Sequence, residues 1–318
     1  MKFSVDPWDP AYGNALELDL EPARATVSVE LERPAAEWGA VTAPTSRTSP
    51  ANVRFVDGVR RVEARVWIDD ADGEACPGIC ASYAAGVVAC DGSARVVDVD
   101  VQRGLFTAAS AAVAIESRHA RFDVRMTASD TPDVLSLALQ ERMTATELAV
   151  AQRVRAASAI DDDLLVVDGP LRGRQHLPRT VGMVKTHNVT YLAPEQNRVV
   201  AVLRPGERTP VFTIGTSWSR HSWYLCLPGG EDAPWAGVVR CEASSDLAAA
   251  EVIELADTTA AVLPRFASEP YKEARAPQNL YPISGLEREL RRRLGDAELI
   301  YRALRTMARR SAPDPNRG

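Results

Sequence analysis

The chain has 318 residues, 46% of them hydrophobic and 25% charged, with a net charge of −6 and a pI near 5.4. That length can bury a core without help from disulfides. The acidity excludes a protein held to nucleic acid by bulk positive charge alone, and no run of about 18 apolar residues is available to span a bilayer. The opening stretch "MKFSVDPWDP" has no apolar leader segment, so the expectation is a cytoplasmic protein, not a membrane one, with reduced thiols. Cys76, Cys80 and Cys90 form only part of a zinc spacing and are predicted to be buried free thiols, with Cys226 and Cys241 reduced as well.

In chain order, residues 1–50 are rich in Pro, Ala, Glu and Thr, with one possible strand over 25–31. They read as an N-terminal arm or extension, with Trp8 and Trp38 as potential anchors, and 51–318 reads as the main domain. "VRFVDG" (53–58) and "VEARVWID" (62–69) are predicted strands, followed by strands over 78–92 and 94–102. Thr131-Pro132-Asp133 is a helix-start signal, and a helix is predicted to about Ala157. "DLLVVDG" then lacks alternation, as a strand covered on both faces does. Strands are expected over 180–187, 198–205, 210–217, 222–229 and 235–243, and helices over 245–263 and 284–309. Three strands, a long helix and a buried strand form the opening of an RNase H-like fold. The expected class is therefore α/β, an RNase H-like mixed sheet flanked by helices, with the N-terminal arm and C-terminal helices added.

Two apolar runs end in Asp-Gly, at Asp57-Gly58 and Asp168-Gly169. Each alone is ordinary turn chemistry. In the RNase H-like order they fall on the first and fourth strands, where two carboxylates side by side would repel each other unless a cation lay between them. Leu135, Leu139, Met143, Val150 and Val154 form one stripe of the predicted helix, and Glu147 interrupts it while Glu141 lies nearer the polar side. A carboxylate on a buried stripe is costly unless it is paired or binds a metal. Asp57, Glu147 and Asp168 are thus the candidate ligands and catalytic acids of one or two divalent cations. Such ions would neutralise the cluster, activate a water and stabilise the phosphate being cut.

"FVDGVRR", the helix bearing Glu147, "LLVVDGPLRG" and "TVGMVKTH" together resemble the NurA nuclease family over most of 53–300, most specifically in the Asp-Gly-Pro-Leu and Val-Gly-Met-Val-Lys-Thr pairing of 168–186. The resemblance implies an RNase H-like, Mn2+-dependent (or Mg2+-dependent) DNA nuclease. It would act in DNA-end processing as a homodimer on a hexameric HerA-type ATPase, with Asp57, Glu147 and Asp168 in the metal site. The family places a further metal-ligating His on a late helix after a Tyr-Pro segment. Here no His follows His221, and aligning Tyr281-Pro282 brings Glu287 to that place. Glu287 has two readings: a metal ligand, or the acid of a capping box opened by Ser284.

Basic residues flank the acids. Arg60 and Arg61 follow the first, Arg172 and Arg174 the second, and Lys185 ends the next strand, where it could steady the scissile phosphate. The arginines of "RELRRR" (288–293) and "RALRTMARR" (302–310) fit either phosphate contact or a solvated helix face paired with its own acids. No Gly-x-Ser-x-Gly elbow accompanies the histidines at 119, 176, 187 and 221, and no glycine-rich phosphate loop with Lys-Ser/Thr is present, so any motor must be another chain. The alternative reading is a non-catalytic RNase H-like module that binds DNA or a partner ATPase without cutting.

Overall fold

β-Branched runs that alternate, or that are apolar throughout, dominate residues 52–107 and 163–244, and these segments form the strands. The structure, a computed structural model, describes residues 25–44, 49–70, 73–157, 163–187, 189–229 and 235–311; Trp8 and the rest of 1–24 lie outside them. In chain order the strands are β1 (Thr26–Ser28), β2 (Val41–Thr42), β3 (Asn52–Asp69), β4 (Ala75–Cys90), β5 (Ala94–Thr107), β6 (Ile115–Glu116), β7 (Arg121–Met126), β8 (Asp163–Asp168), β9 (Thr180–Val184), β10 (Glu207–Arg208), β11 (Phe212–Gly215), β12 (Ser219–Cys226) and β13 (Val238–Ser244). The helices are α1 (Pro132–Ala156), α2 (Pro194–Ala201), α3 (Ala249–Val262), α4 (Tyr281–Arg293) and α5 (Ala297–Ser311). None of them is long and apolar enough to cross a membrane.

The described chain forms two units, one of 1–56, 88–96 and 152–285, the other of 57–87, 97–151 and 286–318. In the first, the strand order runs β1-β11-β12-β13-β9-β8 to the beginning of β3. β8 is parallel to both β3 and β9, and the remaining neighbours pair antiparallel, so this is a mixed sheet. Leu164, Leu165, Val166 and Val167 of β8 are fully buried, as an apolar run without alternation requires. Leu192, Val200, Phe212, Ile214, Tyr224 and Val238 form a core that α2 helps to cover.

In the second unit β4 shows why a strand can be buried along nearly its whole length. Ile79, Ala81 and Tyr83 face Leu135, Leu139 and Met143 of α1, while Cys80 belongs to a separate cluster with Leu105, Phe122 and Ile300 and Leu304 of α5. Residues one apart point to opposite faces, and here each face meets its own helix.

Four sequence expectations need correction. The two strands predicted over 53–58 and 62–69 are one continuous strand, β3. Residues 198–205 are not a strand; most of them lie in α2 or just beyond it, because Pro194 at the first helical position and Glu195 in the first turn start a helix that the Val-Val pair only continues. The single late helix is two, broken at Gly295, which adopts φ +87°. β7 was not foreseen, since Arg, Asp and Arg occupy three of its six positions.

Candidate metal centre

β3 and β8 run parallel in a register that pairs Val56 with Val167. The next residue on each strand is an aspartate, so the ladder itself sets Asp57 and Asp168 as neighbours. The two Asp-Gly pairs nevertheless differ in their physics. Asp168 ends β8, and Gly169 turns the chain away at φ +100°, a conformation that favours glycine. Asp57 lies inside β3, and its Oδ1 accepts the Gly58 N–H at 2.7 Å. A Cβ on Gly58 would meet the Glu147 carboxylate, which would have to swing aside to make room.

Asp57, Asp168 and Glu287 each offer a carboxylate oxygen, and the three oxygens lie within 4.8 Å of one another. Asp57 and Glu287 are buried and Asp168 is half-buried. Oxygens around a common hard cation at 2.0–2.6 Å are separated by up to about 5 Å, so the spacing fits one ion. An all-carboxylate donor set suits Mg2+, Ca2+ or Mn2+ over softer metals.

Glu287 belongs to this group, and the capping-box reading of Ser284 falls. α4 begins at Tyr281, so Ser284 is already inside the helix, and its hydroxyl donates to Glu273 Oε2 at 2.8 Å. Glu147 is buried on α1 as its interruption of the stripe implies, and Glu141 is exposed. Glu147 stands against Gly58, on the face of β3 opposite to the one residue 57 presents, and is not one of the three gathered within 4.8 Å.

Lys185 follows β9 and is buried. Its ammonium donates to Asp168 Oδ2 at 2.6 Å and to Asn279 Oδ1 at 2.7 Å. The amide Nδ2 of Asn279 is buried and has no hydrogen-bond partner among the described residues; an unpaired buried donor costs on the order of 1–3 kcal/mol. Sequence reasoning missed Asn279, since nothing in "PQNLYP" distinguishes it from a turn residue.

The loop after Asp168 is held from two sides. A Cβ on Gly182 of β9 would come within 2.5 Å of the Leu171 backbone nitrogen, so glycine permits this close approach. The Leu171 N–H donates to Glu242 Oε2 at 3.1 Å. The other oxygen of Glu242, a fully buried residue, accepts from Arg220 at 2.8 Å and Arg240 at 3.1 Å. Burial opposes the charge on Arg240, and Glu242 overrides it, holding the guanidinium protonated.

The predicted basic residues divide. Arg60 is half-buried, with its pKa lowered by burial, and reaches Ser136 Oγ at 3.4 Å. Arg61 is engaged by its own chain, through Glu63 at 2.8 and 3.0 Å and the Gly295 carbonyl at 3.0 Å. Arg172 is exposed, whereas Arg174 is buried and donates to the Pro170 carbonyl at 3.3 Å. On α4, hydrogen bonds from Arg292 and Arg293 hold the Glu289 carboxyl down to about 2, so part of that arginine run is a helix face paired with its own acid.

The five cysteines are free. Burial pushes the Cys80 thiol up to about 12 and Cys90 to about 11, which keeps both protonated and poor metal ligands at neutral pH. Compared with protein-family models and with curated proteins, the chain matches none.

Proposed function

We propose that the chain is a metal-dependent DNA nuclease with an RNase H-like core, similar to the NurA family and working with a HerA-type ring ATPase. The observation that carries the reading is the convergence of Asp57, Asp168 and Glu287 within 4.8 Å. It is supported by the strand order β5-β4-β3-β8-β9, with α1 on the chain between β7 and β8. The His that the family places on its late helix is replaced by an acid, and that acid is the one in the cluster.

Asp57, Asp168 and Glu287 would hold the ion, which supplies charge neutralisation and water activation when bound. Lys185 does two things here. It offsets part of the carboxylate charge through Asp168, and it holds a cation beside the place where a phosphate oxygen would sit. Glu242 and Gly182 fix the loop after Asp168, which limits how far that carboxylate can move. Arg172, exposed on the same loop, is the basic residue best placed to meet the nucleic-acid backbone.

The test is incubation of the full chain with labelled single- and double-stranded DNA in Mn2+, Mg2+ or EDTA. Cleavage in Mn2+ or Mg2+ that EDTA abolishes is expected. Intact DNA in every metal, with and without a ring ATPase, favours the non-catalytic binding module.

A further inference from the structure

Lys185 and Asn279 form a built pair whose hydrogen-bonding capacity is only partly used. A lysine ammonium carries three donors. Two are engaged, with Asp168 and Asn279, and no third partner is present among the described residues. The ammonium can only donate, so it fixes the Asn279 amide with Oδ1 toward Lys185 and turns Nδ2 elsewhere. Asn279 is fully buried, and its Nδ2 has no acceptor among the described residues. From the 2.7 Å bond and ordinary amide dimensions, Nδ2 lies within roughly 5 Å of the ammonium. The third Lys185 donor therefore stands beside Asp168, a carboxylate of the candidate metal centre, with the Asn279 Nδ2 donor within roughly 5 Å of the same ammonium. A carboxylate cluster alone repels anions. A donor pair at its edge suits a ligand that brings negative oxygens to the ion.

We infer that Lys185 and Asn279 are an anion subsite for the phosphate group of a nucleotide, with Asn279 Nδ2 donating to one non-bridging oxygen and the third Lys185 proton to another. Asn279 thereby also positions Lys185, and one residue links phosphate recognition to the state of Asp168. The inference rests on the metal-centre reading above and adds what the site grips besides the metal. Tetrahedral phosphate suits the geometry because its oxygens can be shared between an ion on one side and protein donors on the other.

The experiment is titration calorimetry of the full chain with Mn2+ alone, then with 5′-dTMP, inorganic phosphate or thymidine in saturating Mn2+. Asn279→Asp keeps the acceptor for Lys185 and replaces the donor with an oxygen. It should retain Mn2+ binding and lose about tenfold or more in dTMP affinity, while thymidine binds neither protein. Asn279→Ser, with circular dichroism as the folding check, takes over if Asn279→Asp does not fold, and the same loss is expected. Inorganic phosphate competing as well as dTMP supports the subsite and makes the phosphate alone its ligand. Affinity of the variant for dTMP within threefold of the wild type, joint loss of Mn2+ and dTMP binding, or no dTMP binding by the wild type at millimolar concentration each overturns it. DNA cleavage separates the two readings. A wild type that cuts DNA with an Asn279 variant unchanged toward dTMP sinks the subsite alone. A wild type that binds dTMP through Asn279 and never cuts DNA sinks the nuclease alone.

Discussion

Asp168 is an ion-pair partner of Lys185 as well as a member of the carboxylate group. Asp168→Asn keeps an oxygen for the ammonium and removes the charge a cation needs. Metal-dependent cleavage is expected to fall by on the order of 100-fold or more, with the melting temperature shifted by only a few degrees; a collapsed thermal transition would mark Asp168 as structural instead. Gly58 tests the neighbouring acid. Gly58→Ala drives a methyl into the Glu147 carboxylate, which should destabilise by about 1–3 kcal/mol in urea unfolding. Adding Glu147→Ala should recover part of that loss, with a coupling of about 0.5–3 kcal/mol. Strictly additive effects would show that the two residues do not compete for the same space. The residue scale is also where the sequence was most legible. Two apolar runs ending in Asp-Gly nominate Asp57 and Asp168 only together with the order of strands and helix and the inward Glu147, and the parallel register of β3 and β8 is what brings the two positions together. Glu287 was harder to read, because Ser-Gly-Leu-Glu is a true capping pattern and only the earlier start of α4 at Tyr281 removes it. Asn279 had no sequence signal, since its side chain accepts from Lys185, 94 positions away.

Elements with strong period or strong starts were legible, and those whose character comes from packing were not. α1 was foreseen because Thr131-Pro132-Asp133 opens it and Leu135, Leu139 and Met143 repeat along one face. Residues 198–205 read as a strand on their valines, although 198–201 are the end of α2, an eight-residue helix too short for helical periodicity to show. The loop between β8 and β9 owes its shape to β12 and β13 through Glu242, a long-range dependence that local pattern cannot carry. Glu242→Leu would strand two buried guanidinium groups, Arg220 and Arg240, and release the Leu171 N–H. Removing one partner of a buried ion pair costs about 3–5 kcal/mol, and a loss of that size is expected in denaturant titration. Cleavage should fall as well, because the segment that fixes Asp168 is loosened. A stability loss under about 1 kcal/mol would mean that the arginines find other acceptors.

At the scale of the whole molecule, the segment before β3 decides between two pictures of the N-terminus. As sequence it reads as an arm laid over a second protomer or over its own domain, with Trp8 and Trp38 as anchors. In the structure its described part is built into its own chain. β1 pairs antiparallel with β11 from Thr26 opposite Gly215 to Ser28 opposite Thr213, and β2 pairs with β10. Trp38 donates to the Val29 carbonyl at 2.9 Å and packs edge-on to Phe212 with ring centroids 6.0 Å apart. Glu32 accepts from the buried Arg208 at 2.8 and 3.0 Å and from the Val211 N–H at 2.7 Å, while Asp257 holds the same guanidinium from α3. All of these contacts are made by residues 25–44. Removing 1–50 exposes the edge of β11, uncovers Phe212 and leaves Arg208 with one carboxylate where it had two. The shortened chain should melt at least about 5 °C lower and aggregate through the opened edge. Thermal melts paired with light scattering at tens of micromolar separate the two pictures. An unchanged melting temperature together with a clean drop from dimer to monomer would restore the arm as a clasp between protomers. A lowered transition with aggregation would leave any dimer contact to be sought elsewhere, with the exposed Leu299 and Tyr301 of α5 as the first positions to substitute.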